Sequence, residues 1–227
     1  MTAEALRPGP SAPLVTLPGV YAPQYDTNLL TRALCRENIG PETEVLDLGT
    51  GSGALAVQAA RLGASVTAVD ISRRAVLTAR LNARLAGQRV TVRRGDLTSA
   101  VRGRSYDLVV SNPPYVPCPD PRLPRRGAAR AWDAGLDGRA LLDRICDTAP
   151  SVLRPGGTLL LVHSALCGTE ATLKRLADAG LTAEVADRAL VPYGPVLRSR
   201  HQWLCEEGLS SHDETREELV VVRAERP

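Results

Sequence analysis

The stretch "LDLGTGSGALAV" spans residues 46–57. An apolar strand, "EVLDLG" at 44–49, runs into glycines at 49, 51 and 53, and "ALAVQAARLG" at 54–63 continues as an apolar helix that stops at Gly63. Glycine allows the tight turn and lets a ligand come close to the backbone. The helix behind the turn presents amides with no partner of their own. Taken alone, G-x-G-x-G also suits a dinucleotide-binding loop or a plain strand-to-helix turn. The residues around it have to decide.

Downstream, "SVTAVD" (65–70) reads as a strand and "SRRAVLTARLNARLAG" (72–87) as a helix, capped by Ser72 and ended by Gly87. "RVTVRRGD" (89–96) and "YDLVVSN" (106–112) are strands. A helix follows at 138–153, then a "RPGG" turn, a strand at 158–166, a helix at 169–180 and strands near 182–191 and 218–224. Upstream, "YDTNLLTRALCREN" places Leu29, Leu30, Ala33 and Leu34 at helical spacing, with Asp26 or Thr27 as a cap. Seven strands alternating with helices predict an α/β fold, a mostly parallel sheet covered by helices on both faces. Residues 192–217 carry no readable pattern, and so long a connection is expected to be functional or mobile.

A chain of 227 residues that is 44% apolar suits one large domain, expected over 20–227 behind a flexible lead at 1–19. No apolar run approaches the roughly 18 residues of a membrane span. The start, "MTAEALRPGPSAPLVTLPG", lacks the basic and apolar regions of a signal peptide, so the expected location is cytoplasmic. Cys35, Cys118, Cys146, Cys167 and Cys205 form no C-x-x-C pair and read as reduced thiols. His201, Cys205 and His212 fit no ligand spacing, so no metal is expected. The net charge is +3, and Lys174 is the only lysine. That arginine bias reflects a GC-rich genome better than a nucleic-acid partner. The cluster "RLPRRGAAR" at 122–130 is either a solvated loop or a substrate-binding patch.

Two acids sharpen the glycine loop. Asp70 ends the second strand about twenty residues on, where a carboxylate can accept both hydroxyls of a ribose. Asp96 ends the third, where it can accept an adenine amine while Leu97 packs on the ring. Asp47 is read either as holding an ammonium group through water or as orienting the loop. Ligands of open α/β sheets lie beyond these carboxyl ends. The fourth strand then breaks into "NPPY", residues 112–115, a rigid corner that a nicotinamide enzyme has no evident use for.

Together "DLGTGSG", Asp70, "GD" at 95–96 and "NPPY" resemble class I S-adenosylmethionine-dependent methyltransferases with the Rossmann-like fold. The segments "GVYAPQYDTNLL" and "RAWDAGLDGRALLDRICDTAPSVLRPGG" are similar to those flanking the tetrad in the HemK family of release-factor glutamine methyltransferases, in its short form without an N-terminal helical domain. The resemblance implies S-adenosylmethionine as cofactor, with Thr27, Asp47, Gly49, Gly51, Gly53, Asp70, Asp96, Leu97 and Asn112 around it. It implies Asn112, Pro113 and Tyr115 as the catalytic group. The Asn112 side chain and the Pro113 carbonyl would each accept one N–H of a planar amide, and Tyr115 would stack on it. The implied substrate is a release-factor glutamine in a Gly-Gly-Gln loop, and some short relatives use a small zinc-binding partner. A small-molecule N-methyltransferase and an adenine N6-methyltransferase on DNA or RNA remain open alternatives.

Overall fold

The sheet grows outward from the glycine-loop strand. The computed structural model describes residues 14–227. Strand β1 (Glu44–Leu48) is central because both its faces are apolar: Val45, Leu46 and Leu48 are fully buried. Each fully buried aliphatic side chain contributes about 1.5–3 kcal/mol. Parallel neighbours flank it, β2 (Ser65–Asp70) on one side and β4 (Tyr106–Ser111) on the other. Outside β2 lies β3 (Val90–Arg94), and outside β4 lies β5 (Leu153–Ser164), both also parallel. The chain closes with β6 (Thr182–Pro192) and β7 (Arg216–Glu225), where β7 inserts antiparallel between β5 and β6. The order is β3-β2-β1-β4-β5-β7-β6.

Among the described residues, six α-helices cover the sheet. They are α1 (Tyr25–Leu34), α2 (Ala54–Arg61), α3 (Arg73–Leu85), α4 (Ala140–Thr148), α5 (Thr169–Asp178) and α6 (Pro195–Glu206). α3 starts as its sequence predicts: the Ser72 hydroxyl accepts from the Ala75 amide at 3.4 Å, a cap worth about 1 kcal/mol. Among the described residues no helix is long and apolar enough to cross a membrane.

Three expectations change. The helix expected over 138–153 stops at Thr148, where a short 3-10 turn at Ala149–Ser151 follows, and Leu153 already pairs with Tyr106 as the first residue of β5. The "RPGG" segment is therefore an irregularity inside that strand, and the register shifts between Tyr106 and Leu108. The stretch 192–217 contains α6, which packs Leu197 and Leu204 with Tyr193 in a small apolar cluster against Val116. Asp26 and Thr27 do not cap α1: the N-cap is Gln24, without a side-chain hydrogen bond. Of the expected flexible lead, residues 1–13 lie outside the described residues. At its end, Asn82 grips Val15 through both main-chain groups, Nδ2 to the carbonyl at 2.8 Å and Oδ1 from the amide at 2.9 Å.

Candidate active site

The carboxyl ends of β1, β2, β3 and β4 open into one cleft of about 1100 Å³. It is lined by Thr27, Gly49, Gly51, Asp70, Asp96, Leu97, Asn112, Pro113 and Tyr115 among others. Asp47 and Gly53 are not part of the lining. Both work behind it.

The glycine loop needs its glycines. Gly49, Gly51 and Gly53 have φ of 74°, 53° and 85°, a region that side chains disfavour. A Cβ on Gly53 would approach the backbone of Ala79 to 3.0 Å, so this glycine lets α2 lie close on α3. The loop is tied down by three amides: Gly49 and Thr50 donate to the Val69 carbonyl at 2.9 and 3.0 Å, and Gly51 donates to Asp70 Oδ2 at 3.0 Å. Asp47 holds it from below. Its Oδ2 accepts from the Thr50 hydroxyl at 2.6 Å and from the Ala56 amide at 3.1 Å. Asp47 is fully buried, and burial pushes its carboxyl up to about 7 against the pull of those two bonds. Of the two readings of Asp47, orientation of the loop is the one its contacts match.

Asp70 stands at the rim. It accepts from the Gly51 amide and from the Ser72 amide at 2.8 Å. Burial raises its pKa, partly offset by those amides and by the charge of Arg130. Asp96 also lines the cleft, but it is half-exposed and ion-paired with Arg144 at 2.7 Å. Leu97 is the one described non-glycine residue with positive φ, 47°. Such a backbone persists only where the surroundings enforce it, commonly at ligand sites.

At the far end, a buried relay fixes the tetrad. Asp26 is 3% exposed. Its Oδ2 accepts from the Tyr21 hydroxyl at 2.8 Å and the Tyr115 hydroxyl at 3.0 Å, and its Oδ1 accepts from the Thr27 hydroxyl at 3.2 Å. The Thr27 oxygen, its proton given to Asp26, accepts from Asn112 Nδ2 at 3.2 Å. The order of donors thus sets the side-chain amide: the NH2 end of Asn112 faces Thr27, and the carbonyl end is left as an acceptor. Thr27 orients Asn112, and Tyr115 anchors the corner through its hydroxyl. Burial, followed by the charge of Asp26, holds the Tyr115 phenol well above its usual range.

Two supports of this corner were not evident in the sequence. Gly138 has φ of 72°, and a Cβ there would strike the Tyr115 carbonyl and lie 2.8 Å from Cys167 Sγ. Arg200 on α6 reaches the Pro117 carbonyl at 3.0 Å and pairs with Asp133 at 2.7 Å. The arginine cluster reaches the same cleft: Arg125, Arg126 and Arg130 line it.

Comparison with known proteins gives the family. Residues 11–119 match the family model described as the Methyltransferase small domain. A Methanocaldococcus jannaschii protein named "Putative protein N5-glutamine methyltransferase" is 33% identical over 181 residues, covering 79% of this chain and 90% of its own length. The chain belongs to the protein N5-glutamine methyltransferase family. It is an S-adenosylmethionine-dependent methyltransferase with the class I Rossmann-like fold. The release factor glutamine methyltransferase of Bordetella pertussis is 42% identical over 156 residues, 64% of this chain, which spans only 57% of that enzyme. The E. cuniculi Mtq2-Trm112 complex, responsible for methylation of the termination factor eRF1, superposes with a TM-score of 0.64 at 25% identity, covering 92% of this chain and 99% of that one.

The cleft fits the cofactor on its own terms. Gly49 has open space where a Cβ would project. Asp70 keeps acceptor capacity beyond its two amide bonds, as a carboxylate with about four lone-pair sites does.

Proposed function

We propose that this methyltransferase modifies the side-chain amide nitrogen of a glutamine in a protein such as a release factor, at a Gly-Gly-Gln loop. The observation that carries the reading is the Asp26–Thr27–Asn112 relay. An amide nitrogen is a poor nucleophile because its lone pair is delocalised into the carbonyl. The bound cofactor supplies a methyl group made electrophilic by its sulfonium. The protein supplies direction. Asn112 Oδ1 accepts one N–H of the substrate amide, and the Pro113 carbonyl accepts the other. Two fixed acceptors hold the nitrogen, favour its pyramidalisation and stabilise positive charge as the new bond forms. The proton becomes acidic only as the methyl group arrives, so no strong base is needed beforehand. At the other end, Asp70 serves the ribose hydroxyls, while Asp96 and Leu97 serve the adenine. Asp96 would then turn from Arg144 or share it. Residues 20–227 act as a single domain in this reading.

The names of the relatives support the substrate. The archaeal relative is matched over 90% of its length, and the bacterial release-factor enzyme over just over half. The expected place of action is the cytoplasm, where translation terminates. A small partner subunit belongs to the same proposal, because the E. cuniculi neighbour was solved with Trm112. Leu77, Leu81 and Leu85 of α3, 58%, 41% and 65% exposed at i, i+4 and i+8, offer such a partner an apolar stripe beside the open edge of β3.

The test is an acceptor competition. Labelled cofactor is offered with a release factor, total RNA and DNA, and a metabolite extract. Label in the release factor supports the reading. Label in adenine, lost steeply as salt rises, or in small molecules alone, replaces it.

A further inference from the structure

A second cavity of about 300 Å³ lies on the other side of the Tyr21–Asp26–Tyr115 group, which lines both spaces. Its remaining wall comes from Gln24 and Tyr25 at the start of α1, from the β6–α6 corner and from β7. Here β7 sets Glu217 opposite Val191. Glu217 is only 9% exposed, it lines the cavity, and its Oε2 has no hydrogen-bond partner. Burial raises its carboxyl to about 7, against a neighbouring Ser164 hydroxyl, with the charge of Asp26 adding to the rise.

The donors of the cavity are Gln24 and Tyr25 on the α1 side and Arg198 at the rim, and none of them bonds the free oxygen of Glu217. The Tyr21 and Tyr115 protons are given to Asp26. The Tyr193 hydroxyl pairs with Ser210 at 2.9 Å. Arg198 sits at the exposed rim. Val191 and Leu219 are apolar. A buried carboxylate oxygen without a partner is destabilising, and an N–H brought by a ligand to this wall would relieve it. At about 300 Å³ the space has room for a short peptide segment and sits at the lower end of ligand pockets.

We propose that this cavity is an acceptor-side subsite in which Glu217 takes a backbone N–H from the glycines next to the methylated glutamine. The inference rests on the glutamine reading above and deepens it. It makes Glu217 a specificity residue that binds substrate.

The test compares Glu217→Gln and Glu217→Leu with wild type in steady-state methylation of a release factor, with cofactor affinity by calorimetry and thermal unfolding alongside. Glu217→Leu is expected to raise KM for the release factor by roughly ten- to a hundredfold, the usual loss for a hydrogen bond to a charged group. Glu217→Gln, which keeps one carbonyl acceptor, should raise it less. Cofactor affinity stays within about twofold, and Tm is unchanged or higher, because an unpartnered buried carboxylate is gone. A release-factor KM within about twofold of wild type in both variants overturns the inference. So does a KM rise accompanied by lower Tm and equally weakened cofactor binding, which marks a structural role. A wild-type enzyme that leaves the release factor unlabelled overturns the substrate reading itself, and this inference with it.

Discussion

The ends of β1, β2 and β3 with the glycine loop, and the corner after β4 with α1, build opposite ends of one cleft by different means. At the cofactor end, Asp47 and Asp70 lie at or near the ends of their own strands and bond residues close in the chain. Asp70 bonds amides two residues ahead and nineteen behind. Asp47 bonds residues three and nine away. At the corner between β4 and α1, the contacts are distant. Asn112 meets Thr27 across 85 residues, and Tyr115 meets Asp26 across 89. Cofactor binding thus draws on a strand-loop-helix unit, whereas acceptor binding draws on pieces the fold must bring together. The two ends should fail separately when mutated.

The largest effect belongs to the acceptor end. Asn112→Ala removes the oriented acceptor without touching the glycine loop. Turnover is expected to fall by roughly 10²–10³, the range for loss of one preorganised transition-state contact, measured by single-turnover methylation. Cofactor affinity should hold within about twofold. Loss of both together would break the division of labour.

At the cofactor end, Asp70→Ala should weaken S-adenosylmethionine binding by roughly ten- to a hundredfold. Calorimetry checks it, and saturating cofactor should restore most of the turnover. Unchanged affinity would move the ribose contact elsewhere.

The smallest effect sharpens the role of Asp47 as a support rather than a ligand. Its folded pKa, about 7, lies above its ordinary 3.8. Between those values the folded protein keeps a proton that the unfolded chain releases, so stability is lost as pH rises through that window. Asp47→Asn cannot titrate and keeps an acceptor for Thr50 and Ala56. Urea unfolding at about pH 5 and about pH 8 should show a smaller fall for the variant than for wild type, a difference of up to a few kcal/mol. Glu217 leaves a residual slope in both. An identical fall would mean that Asp47 titrates normally.

The same contrast explains what was legible in the sequence. Strands β1, β2, β4 and β5 and the glycine loop were readable because parallel strands buried on both faces are continuous apolar runs bounded by turns. Asp70 and Asp96 were readable as strand ends. The helix α6 was missed because its buried anchors, Leu197 and Leu204, stand seven residues apart among arginine, serine, histidine and glutamine. Gly194 before Pro195 was the available signal, since proline favours the first turn of a helix. The end of α4 was overrun because Ala149, Val152 and Leu153 continue an apolar pattern that belongs to a 3-10 turn and a strand. Thr27 was expected near the cofactor or as a cap. Its bond to Asn112 depends on packing between α1 and the end of β4, which no local pattern encodes. The necessity of Gly138 rests on the Tyr115 carbonyl beside it, and is visible only in three dimensions.

The central claim is that the oriented amide of Asn112 serves a glutamine. Its most direct test is tandem mass spectrometry of a release factor incubated with the enzyme and S-adenosylmethionine, beside a release factor carrying Gln→Ala in the Gly-Gly-Gln loop. The expected result is one methyl group on that glutamine side chain, absent from the alanine form and from the Asn112→Ala reaction. Methylation at another residue, or equal methylation of the alanine form, would contradict the account.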